Sequence, residues 1–586
     1  MSKRKMVDHA VFASITAALA LTACSGSGSG STPGSASCAA RPKSLAARGL
    51  ASAKTSHIPR AVQAMADQGA MASSQAIPVT IALNLSNAED LNQKLVEMYE
   101  VGNPNYHRFM TPQEFHDRYA PSAEQLKQVT SFLQAHGLTV KSTEPNGYLV
   151  HAEGSAQALN TAFDTEIHNY KDAKGNAYFA PSKELTLPSE LPIQAVHGLQ
   201  NITRFKSYAV PKIASASPIA SSNASQSGLA PSDIRTAYQV PSNVNGAGQT
   251  LAVMELDGYT ASDVTTYESN YGLPQVPLQN ILVDSATGSA GGGAAEVTLD
   301  IELMTAIAPG ASAILVYEAP NSSQSILDNY ARIASDNKAT AISSSWGSSE
   351  GSNTTSFAQS ENTIFMQMAA QGQSIFAASG DSGADDNGSS LSVDDPAGQP
   401  YVVGVGGTTL TTGTGGTYVS ETAWNNASGS ISAGGGGISS IWSQPSYQSG
   451  VANSSNLASA TMRNVPDVAL EADANYGYAI YEGGTWGVWG GTSCAAPLWA
   501  AFTALVNQQR AANGFTPLGF PNPALYSLGQ SGSYASLFHD ITSGTNGYYP
   551  AKTGYDDATG WGSFIGQFLF ESLTSNQAGS SPVTGC

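Results

Sequence analysis

Five short runs in the second half of this 586-residue chain, "TLAVMEL", "SAILVYEA", "TAISSSW", "SIFAASG" and "YVVGVGG", read as continuous apolar strands. A strand that shows one face to water alternates, so unbroken apolar character marks strands covered on both faces. Helical stretches lie between several of them, and strands alternating with helices build a parallel sheet. Such folds gather their chemistry in loops beyond one edge of the sheet.

The first half follows another pattern. Between about residues 77 and 201, "AEDLNQKLVEMYEV" and "SAEQLKQVTSFLQAHG" carry apolar residues at helical spacing, and the second starts after Pro-Ser and stops at Gly137. "VTIALNL", "GYLVHAE" and "TEIHNYKD" read as strands, which makes an α+β unit. The following "AVPKIASASPIASSNASQSG" is rich in Ala, Ser and Pro and reads as a linker. Charge divides at the same place. Up to residue 226 there are 19 basic and 16 acidic residues, and after it 6 basic and 28 acidic. A surface this acidic repels phosphate backbones and argues against nucleic acid as a partner. It fits either an acidic working environment or a simple need for solubility.

The N-terminus reads as an export signal. Lys3, Arg4 and Lys5 precede "VFASITAALALTA", an apolar stretch too short to span a bilayer. "LTAC", ending at Cys24, resembles a bacterial lipobox, so Cys24 is a candidate lipid anchor, the alternative being ordinary cleavage and release. A Gly/Ser-rich linker follows. With Cys24 set aside, Cys38, Cys494 and Cys586 are an odd set from which no disulfide framework can be read.

"WGGTSCAAPLWAAF" places Ser493 after a glycine turn and at the mouth of an apolar helix. Backbone N–H groups there favour developing negative charge, which suits an acyl-transfer nucleophile; a helix-capping serine is the plainer reading. A serine needs a base, yet of nine histidines only His539 follows the linker. "GGGAAEVTLDIELMTAIAPGA" offers another base. It reads as a helix over about 294–308, with Glu296 and Asp300 one turn apart on one face and apolar residues nearly everywhere else. Buried carboxylates are costly unless paired, which points to a purpose for these two; the alternative for all three acids of the helix is solvating charge on an exposed face, for which Glu302 is the candidate. Asp381, in "SIFAASGDSGADD", follows directly on a strand, where turns and active sites both occur.

Glu296-x-x-x-Asp300, then Ser379-Gly380-Asp381-Ser382-Gly383, then Gly491-Thr492-Ser493-x-x-x-Pro497 resemble, in that order, the motifs of the sedolisins, the serine-carboxyl peptidases. The resemblance covers essentially everything after the signal. It implies a subtilisin-like α/β catalytic domain with a parallel central sheet, preceded by an α+β activation propeptide. It also implies roles: Ser493 as nucleophile, Glu296 as general base, Asp300 as the residue orienting Glu296, and a protonated Asp381 in the oxyanion hole. Such a base replaces histidine where the working pH is acidic. Glu255 in "VMELDGY" and Trp346 in "SSSWGSSE" resemble a supporting network. "FHDITSGTNGYYPAKTGYDDATGWG" resembles the family's calcium loop, which implies one structural Ca²⁺ held by the side chains of Asp540 and Asp556 and the carbonyls of Ile541, Lys552 and Gly554.

The expected organisation is a signal or lipoprotein-type segment (1–24), a flexible linker (25–76), the propeptide (77–204), a linker holding the processing region (205–228), the catalytic domain (229–575) and a polar tail (576–586). The expected product is an exported, monomeric zymogen of an acid-acting endopeptidase. Its own propeptide is the inhibitor, and proteins or peptides are the substrates. A tripeptidyl-peptidase of the same family and a non-enzymatic surface lipoprotein are the alternatives.

Overall fold

The computed structural model describes residues 54–212, 228–388, 390–426 and 432–575. The signal segment, Cys24, Cys38, Cys586 and the polar tail lie outside the described residues.

The apolar runs form an eight-stranded sheet from β1 (Thr250–Glu255), β2 (Leu278–Leu282), β3 (Ala313–Glu318), β4 (Ala341–Ser344), β5 (Ser374–Ala378), β6 (Val403–Thr412), β7 (Tyr418–Ala423) and β8 (Val468–Glu471). The order is β2-β3-β1-β4-β5-β6-β7, with β8 also on β6; every pairing is parallel except that of β6 with β7. Successive residues of β1 point to opposite faces. Leu251 and Val253 pack with helices α1 (Ala294–Ile307) and α4 (Thr492–Ala512), whereas Ala252 and Met254 pack with α2 (Ser323–Asp336) and α3 (Thr355–Gln371). This two-sided cover is the reason the inner strands read as apolar runs. The edge strand β2 is largely exposed.

β1 lies where the strand order turns, since β2 and β3 follow on one side of it and β4 to β6 on the other. A crevice opens beyond the C-terminal ends of strands at such a point. Glu255 ends β1, Ser345 and Trp346 follow β4, and Asp381 follows β5.

In the N-terminal part, Thr139–Thr143, Leu149–Ser155, Ala76–Leu83 and Ile193–His197 form a four-stranded antiparallel sheet. The helix Ala123–Ala135 opens on a reciprocal capping box between Ser122 and Gln125, which satisfies two backbone donors. Helices Ala88–Tyr99 and Pro112–Tyr119 set Leu91, Leu95, Met98, Phe115 and Tyr119 against Met366, Ala369 and Ala370 of α3 and against Phe520. Full burial of each such side chain is worth about 1.5–3 kcal/mol. Hydrogen bonds lock the seam, with the Met110 N–H donating to the Ala370 carbonyl at 2.9 Å and the Tyr99 hydroxyl to the Ala369 carbonyl at 2.7 Å.

Several expectations need correction. The linker expected over 25–76 is structured in its last part: Ala66–Ala70 is a strand paired with Glu166–Lys171, because a partner edge was available. The linker expected from 205 begins as two short strands, Lys206–Ser207 and Val210–Pro211; residues 213–227 lie outside the described residues. Glu302 is buried, not solvating, and its Oε2 accepts the Tyr481 N–H at 3.0 Å. Cys494 is unpaired and buried in the main core.

Candidate active site

Helix α4 runs through the core with nearly every residue buried. Its cap is Gly491, so Ser493 is the second helical residue and caps nothing. Gly491 has φ 100°, and a Cβ there would collide with the carbonyl oxygen of Tyr208, so the position needs glycine twice over. The Ser493 hydroxyl is buried and lies 3.4 Å from the Ser345 carbonyl.

Helix α1 is buried on all sides, Glu296, Asp300 and Glu302 included. One turn separates Glu296 from Asp300, which brings both to the Ser493 side of the helix. Burial drives Glu296 up to about 7, against hydrogen bonds from the Ser493 and Ser207 hydroxyls. Its Oε2 accepts the Ala209 N–H at 2.8 Å. Burial, then the nearby Glu255 and Glu296, push Asp300 well above the carboxylate range. Asp300 Oδ1 accepts the Ser345 hydroxyl at 2.7 Å. Glu255 is raised likewise by burial, and its Oε2 accepts the Trp346 indole N–H at 2.7 Å.

Asp381 approaches from the other side. Its Oδ1 accepts both the backbone N–H and the hydroxyl of Thr492 at 2.8 Å, a contact across 111 residues that no local turn would need. Its Oδ2 is buried without a partner, beside Gly491. Burial raises Asp381 to about 7, and the bonds from Thr492 and the charge of Lys206 oppose the rise. An isolated carboxylate transferred from water to such surroundings takes up a proton instead of paying the full cost of its charge.

His539 is elsewhere in the network of contacts: its ring stacks on Tyr418 with centroids 3.7 Å apart, and burial lowers it to about 4. The loop after it is clamped by the pairing of Phe538–His539 with Ser563–Phe564. Asp540 Oδ1 accepts the Gly554 N–H at 3.0 Å, and Asp556 Oδ2 accepts the Lys552 N–H at 2.6 Å, so both carboxyls meet the 552–554 segment. Burial raises Asp556 to about 7 and raises Asp540, with no cationic side chain among the influences on either. Among the described residues the carbonyls of Ile541, Lys552 and Gly554 accept no backbone hydrogen bond. An all-oxygen donor set with two such carboxyls fits a hard divalent cation.

Sequence reasoning missed a second acidic group. Asp386 and Asp394 are buried, the first receiving Lys206 Nζ at 3.1 Å and the second the Tyr208 hydroxyl. The adjacent pairs in "GADD" and "VDDPAG" were the available signal, but aspartates in glycine-rich loops read as turn residues.

Residues 63–202 match the family described as "Pro-kumamolisin, activation domain", and residues 285–520 match the subtilase family. The chain is 32% identical over 547 residues to kumamolisin of Bacillus sp. (strain MN-32), covering 90% of this chain and 97% of that protein. It is 33% identical over 536 residues to sedolisin of Pseudomonas sp. (strain 101), covering 87% and 89% respectively. Tripeptidyl-peptidase 1 of Canis lupus familiaris is 27% identical over 539 residues, covering 84% of this chain and 91% of its own. Among solved structures, Pseudomonas sedolisin, a serine-carboxyl proteinase complexed with two molecules of pseudo-iodotyrostatin, is 34% identical with a TM-score of 0.55, covering 60% of this chain and all of its own.

Proposed function

This chain belongs to the sedolisin family of serine-carboxyl peptidases and carries a pro-kumamolisin-type activation domain, and from that premise we propose that it is the zymogen of an acid-acting endopeptidase. The observation that carries the reading is that Glu296 meets the Ser493 hydroxyl and Asp381 meets the adjoining Thr492, with Asp300 and Glu255 close behind Glu296, all buried and all raised. At neutral pH four ionised carboxyls would repel one another; in acid the linked group shares its protons, so that Glu296 is ionised while its neighbours stay neutral.

Ser493 attacks the substrate carbonyl and passes its proton to Glu296. Of the three linked carboxyls, Glu296 is the one that meets the Ser493 hydroxyl and the Ala209 N–H, so it is the one placed to take the proton in its ionised form. Asp300, held by Ser345, and Glu255, held by Trp346, keep their protons and fix its orientation. Asp381 stays protonated below about 7 and donates from Oδ2 to the oxyanion, while Thr492 holds Oδ1. The proton on Glu296 then goes to the leaving amine, and water hydrolyses the ester.

An endopeptidase is favoured over a tripeptidyl-peptidase because the cleft pairs with extended chain on both sides, Lys206 and Ser207 against Gly347 and Trp346 and Val210 and Pro211 against Gly490 and Trp489. An exopeptidase of that kind needs the cleft closed three residues before the cut. Denatured protein is the expected substrate class. Asp540 and Asp556, with the carbonyls of Ile541, Lys552 and Gly554, would hold one Ca²⁺, whose chemistry is structural. The N-terminal charge pattern supports export, with release or a lipid anchor at Cys24, and the protein is taken to act as a monomer; among the described residues no helix is long and apolar enough to cross a membrane.

Acid also loosens the activation domain. His107 accepts the Arg510 guanidinium at 2.9 Å, beside Tyr99 and Tyr106, and His197 shares 2.9 Å with the Ser360 hydroxyl, near His57 and its partner Glu184. Burial, with Arg510 and His57 respectively, lowers both to about 3. Their docked form is neutral and the released form has an ordinary histidine pKa, so docking is fully present above about 6.5 and weakens as pH falls toward 3, by about 1.4 kcal/mol per unit for each. His151 opposes this: despite burial, Glu144, Asp328 and Asp284 raise it, so its contribution is retained in acid.

The test is a pH–rate profile on denatured protein, with N-terminally blocked peptides in parallel. Activity confined to acid, lost in Glu296→Gln and retained on blocked peptides, is expected. Activity peaking at neutral pH would overturn the acid reading, and cleavage only of free-amine peptides the endopeptidase reading.

A further inference from the structure

The segment from Lys206 to Lys212 lies in the cleft as an extended chain. Upstream, Ser207 and Lys206 pair antiparallel with Trp346 and Gly347; downstream, Val210 and Pro211 pair antiparallel with Gly490 and Trp489. The Lys212 N–H donates to the Val488 carbonyl at 2.8 Å. Backbone pairing on both flanks aligns the residues between them in register with the catalytic groups.

Those residues are Tyr208 and Ala209. The Tyr208 carbonyl oxygen sits against Gly491, the same glycine that Asp381 Oδ2 approaches, and the next N–H, that of Ala209, donates to Glu296. One peptide bond thus presents its oxygen to the unpartnered acid and its nitrogen to the base.

The side chains before this bond enter the second acidic group. The Tyr208 ring is buried and its hydroxyl donates to Asp394, while Lys206 lies 5.1 Å over that ring and reaches Asp386. Asp394 and Asp386 lie close enough to hydrogen-bond to one another, and Asp394 Oδ1 and Asp386 Oδ2 are buried with no other partner. Two buried carboxyls with spare acceptor capacity favour donor-tipped side chains and leave an uncompensated cost when an apolar tip replaces them.

We propose that Tyr208–Ala209 is the first bond this peptidase cuts in its own chain, and that Asp394 and Asp386 select it by reading a hydroxyl immediately before the cut and a cation two residues further back. The inference rests on the serine-carboxyl reading above. Ser493 Oγ bonds to the Tyr208 carbonyl carbon and its proton passes to Glu296; the C–N bond breaks as Glu296 protonates the Ala209 nitrogen; water then releases a chain ending at Tyr208. The substrate class follows as unfolded protein carrying Lys-x-Tyr before the bond.

The experiment acidifies the purified full-length precursor and sequences the first new N-terminus, with Ser493→Ala alongside. Ala209 as the first new residue, absent from Ser493→Ala, is expected. A first cut elsewhere, together with acid activity on denatured protein that still depends on Ser493, overturns the inference and leaves the general reading standing. Cutting in Ser493→Ala overturns that reading itself. The decapeptide TRFKSYAVPK supplies a measure that no folding defect can mimic: the Phe version in place of Tyr, and the Gln version in place of Lys, should each lose about tenfold in kcat/KM. Asp394→Asn should shrink the Tyr-to-Phe ratio. Equal rates on all three peptides would refute selection by the acidic pair.

Discussion

The activation region and the catalytic region treat ionisable groups in opposite ways. Eight of the nine histidines and most of the basic residues precede residue 226; the catalytic region has few cations and many buried carboxyls. In the first, burial pushes the docked His107 and His197 down; in the second, burial pushes Glu296, Asp300 and Asp381 up. The physical cause is one, since low dielectric disfavours charge of either sign. Its consequences diverge: in acid the histidines gain charge on release, while the carboxyls other than the base Glu296 stay neutral in place. The lesson is that a single solvent variable can loosen one region and suit the other.

The largest expected effect tests whether imidazole is excluded from the chemistry. Ser493→Ala or Glu296→Gln should lower kcat by about 10⁴-fold or more, measured by release of peptides from denatured substrate. His539→Ala should leave kcat within a few-fold once metal content is matched, and loss of turnover there would break the comparison.

Next comes Asp381→Asn, which removes the proton that Asp381 sheds near 7. It should lower kcat by about 10²–10³-fold and flatten the alkaline limb of the pH–rate profile. A retained limb near 7 would assign that titration to another group.

A smaller effect sharpens the histidine side. His107→Gln combined with His197→Gln should move the midpoint of precursor processing to lower pH by about one unit, because groups that favour release in acid are gone. His151→Gln should move it the other way, by less. An unchanged midpoint in the double variant would show that carboxyl protonation alone drives release.

The smallest expected effect concerns the loop after His539. A chelator should lower Tm by a few degrees and Asp556→Asn should abolish that sensitivity. A chelator-independent Tm would mean that Asp540 and Asp556 only tie the loop together.

Much of this was legible in the amino-acid order. Unbroken apolar runs identify covered strands because the pleat alternates its side chains, and a run such as "SAILVYEA" leaves no face for water. The spacing of Glu296 and Asp300 places them on one helical face for the same geometric reason. With His539 the only histidine after the linker, carboxyls are the bases that the catalytic half has in number. Reading failed where neighbours come from far along the chain. Glu302 is as buried as Glu296, but a helix enclosed on all sides has no exposed face for a period to reveal.

The same limit separates what the order of residues determined from what only the folded chain decided. Periodicity and local motifs are properties of a few consecutive residues, so the sheet, the acid pair on its helix and the serine at its helix mouth were all written locally. That "KSYAVP" would lie as a strand between Trp346 and Gly490, with Tyr208 at Asp394, depends on two edges offered by segments more than a hundred residues away. Backbone donors and acceptors take whatever partner the tertiary fold brings, and composition alone carries no record of that partner.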